Sequence, residues 1–310
     1  MSRQRLDLRG HGARNPTDIP APGWRDIAKR VWRESDEDNL SLLSAGVAFF
    51  ALLAIVPGVV AAVSFYGLFA SAGKVEQQAR ELTRGLPSEA RDLLTQQMHS
   101  ILDTSPRGLG FAFLGGLVVA LWSASTAMKH LIDAVNVTYD EHERRSFVKV
   151  RGLGLLLALG SAVFVIGAVM LITVVPRSVG NSRLGDGAEW VLNGLRWPVL
   201  FVAMVISLAL VYKVGPDRNE PSLRWVSPGA IVASVLWVIG SIAFGIYTAN
   251  FGRYNETYGA LGIVIVFMLW LYMTAFVVLV GAEINAEIER QTARATTGRL
   301  LDQIGTAGTR

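Results

Sequence analysis

The 310-residue chain is 51% hydrophobic and only 17% charged, with mean hydropathy +0.39 and a net charge of +4. A soluble domain carries about 25% charged residues, and the deficit here is concentrated in long uncharged runs that suit a bilayer. The absence of Cys excludes disulfides, thiol nucleophiles and Cys-held metals; the basic balance reads as membrane topology, with no nucleic-acid partner expected.

Residues 1–20 are rich in Arg, Gly and Pro without a hydrophobic period, which predicts a disordered basic arm. The first 41 residues are polar and the first apolar run is long, so no cleavable signal peptide is expected. The stretch "PGWRDIAKRVWRES" then places Trp24, Ile27, Ala28, Val31 and Trp32 on one helical face, opposite Arg25, Lys29, Arg30 and Arg33. Residues 21–36 therefore predict an amphipathic helix, lying in the membrane interface or docked on the protein's own cytoplasmic surface.

Uncharged runs follow at Asn39–Gly73, Gly108–Met128, Gly152–Pro176, Trp197–Tyr212, Trp225–Gly252 and Thr257–Ala282. A span needs about 20 mainly apolar residues. All but Trp197–Tyr212 reach that length, and that run is extended by Trp190–Leu195 and by Arg196 and Lys213, which can snorkel. The expected fold is an all-α, six-helix transmembrane bundle over 39–291, with spans near 42–72, 108–130, 152–176, 192–213, 226–250 and 258–282. Lys and Arg number 20 in the segments on one side and 9 on the other, which places both termini in the cytoplasm. A cytoplasmic tail, 292–310, completes the chain.

Within the first run, Pro57-Gly58 stands mid-span, where a Pro kinks or breaks the helix. A broken helix at the midplane is where transporters often bind substrate. Loop 74–107 reads as an external helical hairpin that caps the bundle or offers 74–102 to a periplasmic partner. After helix two, Lys129 and Asp133 are spaced to pair. Arg144, Arg145, Lys149 and Arg151 gather before helix three; with Lys129 they are candidate contacts for anionic lipid headgroups, or simply positive-inside charge. Pro228-Gly229 marks the start of helix five. Ser44 with Ala48, Gly116 with Ala120 and Ala230 with Ser234 suit close helix packing.

Between helices five and six, "GRYNETYGALG" makes a tight outer hairpin, where Asn250, Asn255 and Tyr258 could line a vestibule. Glu283, Asn285 and Glu287 follow helix six, either on a substrate path or as interface residues opening the tail helix. The four His residues (11, 99, 130 and 142) are dispersed, so neither a metal site nor a cofactor is expected.

Several stretches together resemble the YihY/BrkB family of bacterial inner-membrane proteins: "SLLSAGVAFFALLAIVPG", "LWSASTAMKHLIDAVNVTYDEHERRSF", "VGPDRNEPSLRWVSPGA", "NFGRYNETYGALG" and "LWLYMTAFVVLVGAEINAEIER". The resemblance spans roughly residues 24 to 291 and implies six helices with both termini inside. It marks Pro57, Asp133, Asn136, Tyr139-Asp140, Gly215-Pro216-Asp217, Tyr254-Asn255, Tyr258-Gly259 and Glu283-Asn285-Glu287 as signature positions without assigning catalysis to any. Members have carried a ribonuclease label, a virulence label and an association with lipid precursors. The expected activity is transport or translocation of an amphiphilic anionic substrate such as a phospholipid. The alternative is a non-catalytic envelope scaffold; ribonuclease activity comes last. The expected partners are the lipid bilayer, its anionic lipids and, for the scaffold, a periplasmic envelope protein; the sequence leaves the oligomeric state open.

Overall fold

The computed structural model describes residues 15–69, 106–180, 186–218, 223–249 and 260–307. Among them are a 3-10 turn at Pro16–Asp18 and seven α-helices: α1 Ala21–Glu37, α2 Leu40–Phe69, α3 Pro106–Thr138, α4 Phe147–Gly180, α5 Asp186–Val214, α6 Leu223–Ala249 and α7 Ala260–Ala307. No strand occurs among the described residues, and the all-helical membrane class expected from the sequence is what the chain adopts. Residues 74–105 of the external loop and 250–259 of the outer hairpin, with Asn250, Asn255 and Tyr258, lie outside the described residues.

Four helical segments are long and apolar enough to cross a bilayer: Phe147–Thr173, Gly194–Val214, Val226–Ala249 and Val264–Gln291. A fifth candidate is the pair Ala21–Glu37 and Leu40–Ile55, bent by 64°. The bend has a local cause. Asn39 sits in the left-handed region at φ 53, which Asn tolerates better than most residues. It ends α1 through its side-chain amide on the Glu37 carbonyl, 3.1 Å, and begins α2 by accepting from the Leu42 and Leu43 N–H groups. Asp140, at φ 55, ends α3 in the same way. The Glu141 N–H returns to the Asn136 carbonyl and the Asp140 N–H to that of Val137, the pairing of a Schellman cap.

The break suggested at Pro57 does not occur. α2 runs without interruption from Leu40 to Phe69 with Pro57 inside it, and a Cβ at Gly58 would meet nothing within 4 Å. Pro removes one backbone donor, but a 30-residue apolar helix retains the bonds on both sides of it. The discontinuity lies instead at Asn39.

Each of α2 to α7 packs on its neighbours in sequence, and α7 returns to α2, closing a ring. Across the ring only α7 and α3 make more than glancing contact among the described residues. One end of the ring gathers the starts of α2, α4 and α6, the ends of α3 and α5, and α7 near residue 283. The apolar core lies there: Leu40, Val135, Ala209, Tyr212, Val226, Ala230, Leu279 and Ala282 pack as one cluster. Away from this end the helices expose apolar side chains such as Val118, Leu156, Val163, Ile166, Ile239 and Ile242. That pattern is inverted relative to a soluble protein and fits surfaces that meet lipid.

α6 and α7 approach each other closely. A Cβ at Gly229 would overlap the Gly281 carbonyl oxygen and lie 2.6 Å from the Asn285 side chain. A Cβ at Gly281 would overlap the Tyr212 hydroxyl and lie 2.7 Å from the Ala233 Cβ. Buried Ala230, Ser234 and Ala282 extend this small-residue contact, the means by which helices pack closely in membranes. α1 turns its Ile27 and Val31 onto Ile288 and partly buried Trp24, Val280 and Ile284, so its apolar face docks on the protein. Trp32 is left 84% exposed.

Candidate functional site

The packed end of the ring carries a network of charged side chains centred on α7. Burial there is extreme for acids: Glu283 is 0% exposed and Glu287 1%, where ionisable groups are almost never found unpaired. From α1, Arg30 donates through Nε to Glu287 and through Nη2 to Gln291 Oε1 at 2.6 Å. From one turn further along α7, Arg290 donates through Nη1 to Glu287 Oε1 at 2.6 Å and through Nη2 to Asp140, on the α3–α4 connection. Glu287 is thus clamped between two guanidiniums from two helices, a charge-assisted arrangement.

Glu283 is different. Its nearest charged group is Arg290 Nη1, 3.6 Å from Oε1, and neither carboxyl oxygen accepts a hydrogen bond. Asp38, at the α1–α2 bend, also faces this group. Burial, reinforced by Asp140, pushes its carboxyl up to about 6.

A second network ties the connections together. Arg145 forks onto Glu143, Nε to Oε1 at 2.8 Å and Nη2 to Oε2 at 2.6 Å, and donates to the carbonyls of Gly215 and Val214. Its hydrogen bonds hold the Glu143 carboxyl below the usual range. Asn136 donates to Glu143 at 3.1 Å and accepts from the Asp217 N–H at 2.9 Å, while Asp217 accepts from the Arg144 N–H. The α3–α4 and α5–α6 connections are therefore locked to each other. Arg218 forks onto Glu289 at 2.6 and 2.7 Å and lies 4.1 Å above the Tyr139 ring, a stacking available to a planar guanidinium.

Asn285 has a third task. Its Oδ1 accepts from the Gly229 N–H at 2.8 Å and its Nδ2 donates to the Val226 carbonyl at 3.0 Å. These two groups flank Pro228, which supplies no N–H of its own. Asn285 thus staples α7 to the first turns of α6.

The structure therefore brings Asn136, Tyr139, Asp140, Gly215, Asp217, Glu283, Asn285 and Glu287 to one end of the ring. Pro57 and Gly58 stand apart on α2. Of the candidate headgroup contacts, Arg145 is spent on the connections and Lys129 pairs with Asp133 at 2.6 Å. Arg151 lies 4.0 Å over Trp122 and donates to Thr126. Arg144 and Lys149 have exposed side chains beside exposed Phe147 and Val148. Sequence reasoning missed Arg30 and Arg290 as partners of Glu287, and Asp38. Their signal was only a helical register: Glu283, Glu287 and Arg290 share one face of a helix.

A family model described as "Virulence factor BrkB" matches residues 31–302. The chain belongs to the BrkB family. A Bacillus subtilis protein, YfkH, described as ribonuclease-like, is 31% identical over 258 residues, covering 80% of this chain and 90% of its own. A UPF0761 membrane protein of Alteromonas mediterranea is 26% identical over 273 residues, 86% of this chain and 89% of its own. Another, of Cronobacter sakazakii, is 27% identical over 281 residues, 86% and 91%. No solved structure matches. The residues matched by the family model include the Arg145–Glu143 network, Glu283, Asn285, Glu287 and Arg290 and the Gly229–Gly281 contact, but not Arg30.

Proposed function

We propose that this BrkB-family membrane protein moves an amphiphilic anionic substrate, such as a phospholipid, between leaflets. The observation that carries the reading is the ring itself. Its six helices pack mainly on sequential neighbours, and their shared core and buried ion pairs are concentrated at one end. In this reading the packed end is the closed end, the substrate moves along the helices of the ring, and the clamp on Glu287 acts as the gate. A substrate with its tails in lipid needs few charges along that route. Arg144 and Lys149 on the rim, beside exposed Phe147 and Val148, suit a headgroup that meets basic and apolar groups together.

The gate faces the cytoplasm of a bacterial inner membrane in this reading, because 20 of the Lys and Arg residues lie on its side. The chain has no Cys, so orientation is directly testable: Trp32→Cys should react with an impermeant maleimide only from the cytoplasmic side. Catalysis is not part of the proposal. His130 is stacked on Phe50 at 3.8 Å and His142 is exposed, and no three His, Asp or Glu side chains among the described residues converge as metal ligands.

The test is movement of a fluorescent anionic phospholipid across proteoliposomes. Wild type should accelerate it above protein-free vesicles, and Arg290→Ala, which unclamps Glu287, should change the rate severalfold. No acceleration by correctly folded wild type with several anionic lipids would refute translocation.

A further inference from the structure

The charge balance at the gate carries a second inference. Acting on Glu283 are Glu287 and Arg290 from α7, Glu34 from α1, Asp38 at the bend and Tyr139 from the α3–α4 connection; Arg30 reaches the cluster through Glu287 and Asp140 through Arg290. Glu34 has its own partner, Arg33, at 2.8 Å. Two arginines, Arg30 and Arg290, are left to meet four carboxyl groups: Glu283, Glu287, Asp38 and Asp140. Glu287 takes both arginines and Asp140 shares one. Glu283 has no hydrogen bond, no exposed surface and only a long contact to Arg290. A fully buried carboxylate left uncompensated is costly, and a proton is the smallest ligand that removes the charge.

We propose that Glu283 is a proton-binding site of the gate, protonated while Arg290 is engaged by Glu287 and Asp140, and emptied when the gate opens. The step balances simply. The Glu283 O–H bond breaks, its proton passes to water entering from the nearby ring end, and the carboxylate pairs with Arg290, already 3.6 Å away. Arg290 leaves Glu287 or Asp140 as it turns, which loosens α7 from α1 and from the α3–α4 connection. Asp38 is partly exposed and electrostatically coupled to Glu283, and burial holds its carboxyl up to about 6, so in this proposal it relays the proton outward near neutral pH. The coupling of this proton to substrate movement rests on the translocation reading; the protonation of Glu283 does not.

Two measurements on the full chain in proteoliposomes separate them. Infrared spectra between about pH 7 and 9, above the range in which Asp38 is protonated, should show a protonated-carboxyl band that is absent in Glu283→Gln and retained in Asp140→Asn and Asp38→Asn. Glu283→Gln is nearly isosteric and uncharged, so it should fold. If it does not, the same band followed in wild type by carboxyl-specific isotope labelling of Glu decides the question. Absence of any such Glu band overturns the site whether or not lipid moves. In the flux assay, wild-type rate should vary with pH by about tenfold per unit over its steep limb, as one titrating proton gives, and Glu283→Gln should be flat within about twofold. Lipid movement with equal pH dependence in both proteins would overturn the coupling while leaving translocation standing. A Glu band without lipid movement would sink translocation and support the proton site.

Discussion

Replacing Asn285 by Ala tests whether this residue holds α6 and α7 together. The side chain is fully buried and makes two hydrogen bonds, both to backbone groups of the turn around Pro228. Removing it leaves the Gly229 N–H and Val226 carbonyl without that partner where water is scarce. Each buried backbone group left wanting costs about 1–3 kcal/mol. Hydrogen bonds between membrane helices average only about 0.6 kcal/mol when the chain can find substitutes. Substitutes are limited here, because Pro228 interrupts the helix ladder and the Gly229–Gly281 contact admits no added atom. A loss of about 2–4 kcal/mol follows, a fall of roughly 3–6 °C in apparent Tm for a chain of this size. Asn285→Asp keeps the acceptor for Gly229 and loses the donor to Val226, so it should fall between Ala and wild type. The assay is thermal unfolding of detergent-purified protein by tryptophan fluorescence. An Asn285→Ala protein within about 0.5 kcal/mol of wild type would refute the staple and return Asn285 to the list of substrate contacts.

Gly281→Ala should destabilise by about 1–3 kcal/mol or more, since the added methyl meets the Tyr212 hydroxyl and the Ala233 Cβ; Gly58→Ala, with nothing within 4 Å, should be neutral in the same unfolding assay. Asp38 has its folded value raised to about 6 from 3.8, so the folded state binds more protons and stability falls as pH rises between about 4 and 6. Discounted for the partial exposure of Asp38, this is about 1 kcal/mol, and Asp38→Asn should remove the slope in unfolding measured across pH. Glu143 has the opposite sign: Arg145 lowers it, so its contribution is present above the ordinary carboxyl value of 4.5 and disappears as pH falls through the lowered one. Protection of residues 139–146 against hydrogen exchange, taken relative to the intrinsic rate at each pH, should fall in acid in wild type, and Glu143→Gln should already be weakly protected at neutral pH.

The helices were legible because long uncharged runs admit little else, and α1 because its apolar residues recur at helical spacing. Where polar groups go at the ends of helices was less so. Arg145 looked like one of four equivalent rim charges, yet it is the one whose guanidinium reaches the Gly215 carbonyl. That depends on two connections 70 residues apart meeting, which no local pattern encodes. Asn285 looked like a polar residue at a span's end; its role follows from Pro228 on another helix. Glu283 and Glu287 were visible as a pair one turn apart, but their burial comes from α1 folding back across them, and that direction is fixed by Asn39.

Asn39 also changes which part of the chain can act as a joint. A proline inside a continuous membrane helix bends it only as far as neighbouring helices allow. A left-handed residue between two helices is a joint already broken, with the charged side chains of Asp36, Glu37 and Asp38 beside it. α1 is held across that joint by Ile27, Val31 and the Arg30–Glu287 pair. Opening it means breaking a small apolar patch and the Arg30 bonds to Glu287 and Gln291, whereas opening the ring at Pro57 means separating α2 from α3, the most extensively packed helix pair. The cheaper motion is the one that uncovers Glu283, and for that reason the proposed gate is assigned to α1 and α7 rather than to the middle of α2.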